Sequence, residues 1–312
     1  MDVMMIGKIK NLKKERDAVI LSHNYQISLI QDIADFIGDS LELAKIAKTL
    51  KERVVVLCGV YFMAETISIL APDKIVLIPD MNAGCPLADS ITVSEIKKLK
   101  AEHPKALVVA YVNTSAEVKA MSDYCCTSAN AVSIVENVPS EEVIFIPDKN
   151  LGSYVQEHTQ KKVYLSRGFC PAHNVIDKSD VLEINRIHPG AKFVAHPECK
   201  REVLAVADAV KSTTGILNYV KNDNNKEFYS SVTCAPCEQF IIGTEEGLIY
   251  RLKKENPTKE FYTFSKPIFC PNMKKITLEK VLSSLENMQY VVKVKEDVRE
   301  KARLAIERMF EI

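Results

Sequence analysis

The sequence carries no surplus of either charge. Its 41 Lys and Arg balance 41 Asp and Glu, so it lacks the basic excess of a general nucleic-acid binder. It has no apolar run near the roughly 20 residues that span a bilayer. The opening stretch, MDVMMIGKIKNLKKERD, has no apolar core with a small-residue cleavage site behind it, so no export signal is expected. There is no low-complexity tract and no long linker. Only one C-x2-C pair occurs, Cys234 and Cys237 in CAPC, whereas a structural zinc site commonly uses two. These absences leave a soluble, cytoplasmic globular protein with no nucleic-acid or membrane partner. Its 47% hydrophobic and 26% charged residues are ordinary for that class. The length of 312 residues suits roughly two to three domains.

What the chain does have is cysteine: Cys58, Cys85, Cys125, Cys126, Cys170, Cys199, Cys234, Cys237 and Cys270. An odd count of nine without an export signal argues against a disulfide framework and for metal binding or catalysis in a reducing compartment.

Short apolar segments alternate with helical ones along most of the chain. AVILSHN precedes SLELAKIAKTLKE, whose Leu41, Leu43, Ala44, Ile46, Ala47 and Leu50 form a helical face. RVVVLCG, KIVLIPD, ALVVAYV, EEVIFIPD, KVYLS and KFVAHP continue the strand series. Such alternation predicts an α/β fold of parallel sheets covered by helices on both faces. The segment from residue 276 reads as helical.

An internal repeat organises these segments. Three strands end in polar clusters, at His23 in LSHNY, Tyr111 in AYVN and His196 in AHPE. Seventeen residues beyond each stands a hydroxyl, Ser40, Ser128 or Thr213, just before a helical run. Ser and Thr are expected there as caps, because the side-chain oxygen accepts an N–H of the first turn. Farther on, each unit reaches a Cys-Pro pair, at Cys85, Cys170 and Cys270. The pattern predicts three pseudo-symmetric three-layer α/β/α units, each β-α-β-α-β, around a pseudo-threefold axis with one central site. The expected divisions are 1–88 (with the N-terminal segment), 89–175, 176–275 and a helical tail at 276–312. Ligands in open parallel sheets sit outside the carboxyl ends of strands, and here three such ends face one axis.

Three lone cysteines, one per unit, suit a metal centre assembled from distant parts. An iron–sulfur cube held by three thiolates leaves one iron without a protein ligand, and that iron can act as a Lewis acid. Cys58, Cys125 and Cys126 read as strand packing. Cys199 reads the same way despite its place in HPEC, and CAPC is a redox pair or half a zinc site. His173, in CPAH, stands near the cluster or in a loop. His103, His158 and His188 have polar surroundings and are expected at the surface. MNAG and KNLG supply turn residues.

The motifs SHNYQ, GDSLELA, GVYFMAET, PDMNAGCPLADS, AYVNTSAEVKAMSDYCCTSANA, FIPDKNLG, GFCPAH, HPEC, STTG, GTEEGLIYRL and CPNMKKITLEKVL occur in this order. Together they closely resemble the quinolinate synthase family from about residue 17 to 285. The resemblance implies a [4Fe–4S] cluster held by Cys85, Cys170 and Cys270. It implies condensation of iminoaspartate with dihydroxyacetone phosphate to quinolinate, phosphate and water in de novo NAD biosynthesis, a transferase reaction. A transient partner would supply the iminoaspartate. Substrate-binding positions carried over by the motifs are His23, Ser40, Tyr111, Val112, Asn113, Ser128, His196, Pro197, Glu198 and Thr213. Tyr25 falls on a position tied to the chemistry. No role carries onto CAPC.

The residues suit those substrates, which bring two carboxylates and a phosphate. Three helix N-termini with hydroxyls offer three places for anions, so Ser40, Ser128 and Thr213 are each expected to help hold one group. Tyr25 and Glu198 are the expected proton-transfer groups, with His23, His196 and Tyr111 orienting oxygens or sharing that work. Two other classes fit the same cysteines: a different [4Fe–4S] hydro-lyase or reductase of similar trefoil fold, and a non-catalytic redox or metal sensor using CAPC.

Overall fold

The structure, a computed structural model, describes residues 2–222 and 238–312. It contains three separate four-stranded parallel sheets. The first holds β1 (Ala18–His23), β2 (Phe36–Gly38), β3 (Val54–Cys58) and β4 (Ile75–Leu77). The second holds β5 (Leu107–Tyr111), β6 (Tyr124–Cys126), β7 (Glu142–Ile146) and β8 (Lys162–Leu165). The third holds β9 (Lys192–Ala195), β10 (Ala209–Val210), β11 (Gln239–Gly243) and β12 (Glu260–Tyr262).

All three sheets have one strand order: β2-β1-β3-β4, β6-β5-β7-β8 and β10-β9-β11-β12. Each unit therefore carries four strands, one more than the repeat in the sequence suggested. The extra member is an edge strand of two or three residues, β2, β6 or β10, too short to show a period. The central strands have apolar middles buried on both faces, and every residue of β1 and β3, the polar Ser22 and His23 included, is buried. Parallel sheets covered on both sides require such runs.

One device recurs in each unit. Asp35, Asp123 and Asp208 stand just before the edge strand. Their carboxylates accept the backbone N–H of Ile20, Val108 and Phe193 at 2.8, 2.8 and 2.7 Å. Their own N–H groups return the bond to the carbonyls of those residues at 2.9, 2.9 and 2.8 Å. The clamp fixes where each chain re-enters its sheet, and so fixes the rim that follows.

The helix Asp2–Glu15 packs on the helix Leu278–Asn287. The last helix, Glu296–Glu311, lies on Ala116–Ala120 and β6 of the second unit. The terminal helices thus cover the first two units. KNLG is not a turn: Lys149 to Gly152 open the helix Lys149–Glu157, whose first turn is capped by Asp148 through Asn150 N and Leu151 N, both at 2.8 Å. Among the described residues no helix is long and apolar enough to cross a membrane.

Candidate active site

The corresponding strands of the three sheets end at one cavity. His23 closes β1, Tyr111 closes β5 and His196 follows β9. With them the cavity is lined by Tyr25, Ser40, Asn113, Ser128, Glu198, Thr213 and the three cysteines Cys85, Cys170 and Cys270. Two residues carried over from the family stand apart. Val112 borders a small neighbouring cleft with Phe62 and Met63. Pro197 lines a cavity of about 380 Å³ that shares Asp39 and Ser128 with the central one.

The three hydroxyls reach the cavity, but none is the cap expected of it. Asp39 caps the helix Ser40–Ala47, accepting from Leu41 N and Glu42 N at 3.0 Å. Ser212 accepts the N–H of Gly215 at 3.1 Å beside Thr213, and Ser128 lies in the turn before the helix Ala131–Asn137. A neighbouring side chain takes the capping role in the first and third units, which leaves the Ser40 and Thr213 hydroxyls to face the cavity. Thr213 Oγ1 accepts from Asn24 Nδ2 at 3.1 Å.

His23 and His196 share a local fold. His23 Nδ1 accepts the N–H of Tyr25 at 3.1 Å, and His196 Nδ1 accepts that of Glu198 at 3.3 Å. An occupied Nδ1 lone pair puts the proton of the neutral ring on Nε2. His196 Nε2 lies 3.2 Å from Ser128 Oγ. Burial is the main cause that lowers both rings from 6.5 to about 3, against the opposing pull of Glu198. They are neutral donors near pH 7.

A chain of contacts joins Tyr25 to Glu198. The Tyr25 hydroxyl is 2.6 Å from Thr244 Oγ1 and 3.3 Å from His173 Nε2. His173 Nε2 lies 2.8 Å from the same Thr244 oxygen. The other ring nitrogen, Nδ1, is 2.7 Å from Glu198 Oε2 and 3.2 Å from Cys170 Sγ. Burial, followed by the Glu198 charge, raises both the Tyr25 and Tyr111 phenols well above 10. Burial opposes ionisation of Glu198, but His173 and then His196 outweigh it and hold the carboxyl below its usual range. Glu198 Oε1 and Asn113 Oδ1 are buried acceptors without a protein hydrogen bond.

The cysteines have the chemistry of a metal centre. Each Cys-Pro turn directs backbone N–H groups at its own sulfur: Leu87 and Ala88 at Cys85, His173 at Cys170, Asn272 and Met273 at Cys270. Burial raises all three thiols, Cys85 to about 12, so ionising them together calls for a cation between them. Among the described residues, one group of three such side chains, Cys170, His173 and Glu198, has its ligand atoms all within 4.8 Å of one another. The three thiols do not form such a group. Three thiols raised by burial, with N–H groups aimed at them, suit a metal centre.

Sequence reasoning left His173 undecided and missed Thr244. Thr244 directly follows β11, the same signal of a polar residue at a strand end that marked His23. His103 and His188 are not simply exposed, for they stack on Tyr164 and Tyr262 at 3.5 Å between ring centroids. His158 is exposed. Cys58, Cys125, Cys126 and Cys199 are buried. Cys234 and Cys237 lie outside the described residues.

Residues 7–311 match the family model described as quinolinate synthetase A protein. The chain is 50% identical over 305 residues to a quinolinate synthase of Thermodesulfovibrio yellowstonii, covering 97% of each chain. It is 51% identical over 305 residues to one of Dehalococcoides mccartyi, covering 98% of this chain and 97% of the relative. It is 48% identical over 311 residues to quinolinate synthase 2 of Methanosarcina acetivorans, covering 100% and 96%. The chain belongs to the quinolinate synthase family. In this member of the quinolinate synthase family, the three-sheet ring, the strand-end histidines and the cysteine turns meet in one cavity, with a Cys–His–Glu group able to hold a metal at its wall.

Proposed function

We propose that this chain condenses iminoaspartate with dihydroxyacetone phosphate to give quinolinate, phosphate and water, in the cytoplasm, as a step of de novo NAD biosynthesis. The observation that carries the reading is the meeting, in one cavity, of three cysteine turns with the Tyr25–Thr244–His173–Glu198 chain. Cys85, Cys170 and Cys270 would hold a [4Fe–4S] cluster. Bound there, the cluster supplies Lewis acidity at an iron that no cysteine holds.

The side chains account for the remaining work. Neutral His23 and His196 donate Nε2–H to substrate oxygens. Ser40, Ser128 and Thr213, at three different rims, each meet one of the three anionic groups. The orphan acceptors Glu198 Oε1 and Asn113 Oδ1 match the N–H and O–H donors of an imine and a hydroxyketone. Tyr25, kept protonated by burial, gives a proton that Thr244 and His173 can replace. Glu198, kept ionised, accepts one at the far end of the same chain. Tyr111 closes the wall between them and orients oxygens. Holding two substrates side by side supplies the entropic share of catalysis. Iminoaspartate is short-lived in water, so a partner enzyme that forms it must work close by.

Anaerobic reconstitution with iron and sulfide, an iron count and a quinolinate assay test the reading. About four irons per chain together with product from the two substrates is the expected result. Four irons without product would reject the activity and favour a hydro-lyase or sensor.

A further inference from the structure

We propose that Glu245 and Lys274 are positioning residues that tie the placement of Tyr25 to the Cys270 turn. The proposal rests on the reading of Tyr25 as a proton-transfer group. Tyr25 belongs to the first unit, yet the third unit and the turn beyond it grip it at both ends. Thr244 Oγ1 meets its hydroxyl at 2.6 Å, and Lys274 Nζ donates to its backbone carbonyl at 2.5 Å.

Glu245, the residue after Thr244, joins these two grips to the cysteine. Its side chain is fully buried. Oε1 accepts the N–H of Cys270 at 3.1 Å and pairs with Lys274 Nζ at 2.7 Å, and Oε2 accepts from Gly247 N at 2.8 Å. Lys274 stands four residues after Cys270, in the same turn. A single buried carboxylate therefore holds the cysteine backbone and the ammonium that holds Tyr25. Removing the Lys274 charge leaves the buried Glu245 carboxylate without its partner, and removing the Glu245 charge frees the half-buried ammonium.

The node is crowded enough to act as one piece. A Cβ on Gly247 would lie 2.6 Å from Tyr25 O, 2.8 Å from Glu245 Oε2 and 2.8 Å from Lys274 Nζ. Gln31 Nε2 adds donors to Asn24 O, Gln26 O and Gly247 O at 3.2, 2.8 and 3.0 Å. The carbonyls of residues 24, 25 and 26 are thus all tied to this corner. The other cysteine turns differ. Asp148 accepts the N–H of Cys170 at 3.1 Å, but the residue four past Cys170 is Asn174, which accepts from Asn150 instead. Four past Cys85 stands Asp89. Only the Cys270 turn carries a cation toward the loop of Tyr25.

The test compares cluster-loaded parent, Lys274→Met, Lys274→Arg and Glu245→Gln. Three quantities are read: kcat per intact cluster, KM for each substrate, and the rate of iron release to a chelator. Lys274→Met is expected to lower kcat about 10- to 100-fold, as small misplacements of a reacting group do, with both KM values near the parent's. Lys274→Arg restores most of that loss. Lys274→Met and Glu245→Gln both release iron several-fold faster. Parental kcat per cluster in Lys274→Met, or a raised KM with parental kcat, overturns the positioning of Tyr25. Parental iron release in the isosteric Glu245→Gln overturns the coupling to Cys270. Parent protein that carries its cluster and forms no quinolinate overturns the proposed reaction instead, and the iron-release arm still decides the coupling.

Discussion

Tyr25 and Thr244 face each other hydroxyl to hydroxyl at 2.6 Å, one from the loop after β1 and the other from the loop after β11. They are 219 residues apart in sequence. The contact exists only because the first and third sheets present equivalent rims to one axis.

Replacing Tyr25 by Phe removes the outer end of the proton chain and keeps the ring packed. We expect kcat to fall about 10²- to 10⁴-fold with cluster content unchanged. Steady-state kinetics with iron counting checks this, and full turnover would remove Tyr25 from the chemistry.

Serine in place of Cys85, Cys170 or Cys270 should each abolish retention of a four-iron cluster. Alanine at Cys199, whose buried thiol donates to Gly243 O, should leave iron content at the parental level. Iron and sulfide assays after anaerobic reconstitution separate the two classes.

Alanine at Ser40, Ser128 or Thr213 should raise KM for at least one substrate by about 10-fold, the scale of one hydrogen bond to a charged group, with kcat little changed. Unchanged KM values for both substrates in all three variants would take the anion-holding role away from these hydroxyls.

Acid should unfold the protein partly through His23 and His196. Each titrates at about 3 when folded, against 6.5 ordinarily. As pH falls below 6.5 the unfolded chain takes up the protons first. Stability is therefore full above 6.5 and is lost progressively toward 3, at up to about 1.4 kcal/mol per pH unit for each ring. Urea unfolding between pH 8 and pH 5 should show this slope, and a His23→Asn, His196→Asn double variant should flatten it. An equally steep double variant would assign the loss to other groups.

Much of this could be read from the chain because the repeat is written in side chains. The strand ends His23, Tyr111 and His196, the hydroxyls seventeen residues on and the three Cys-Pro pairs all mark the axis. The capping atoms were not legible. Ser40 and Asp39 both suit a helix start, and only the fold shows that Asp39 takes the amides. Thr244 escaped because one hydroxyl after a strand is common, and its partner lies at the other end of the chain. The short strands β2 and β10 escaped because two or three residues have no period. The carboxylate clamps at Asp35, Asp123 and Asp208 were there to find, each five residues before its hydroxyl. Alanine at any of them should cost about 1–3 kcal/mol by leaving a strand amide unpaired, which thermal unfolding can measure.

The strand ends also repeat a two-residue offset: His23 with Tyr25, Tyr111 with Asn113, His196 with Glu198. A homotrimer built from one such unit would obey its own symmetry and place three copies of the same side chain round the axis. Two substrates of unlike shape cannot use three identical walls. Linking the copies into one polypeptide lifts that constraint. Each rim can then hold a different group, a phenol on one, an amide on the next and a carboxylate on the third, while the sheets beneath stay alike.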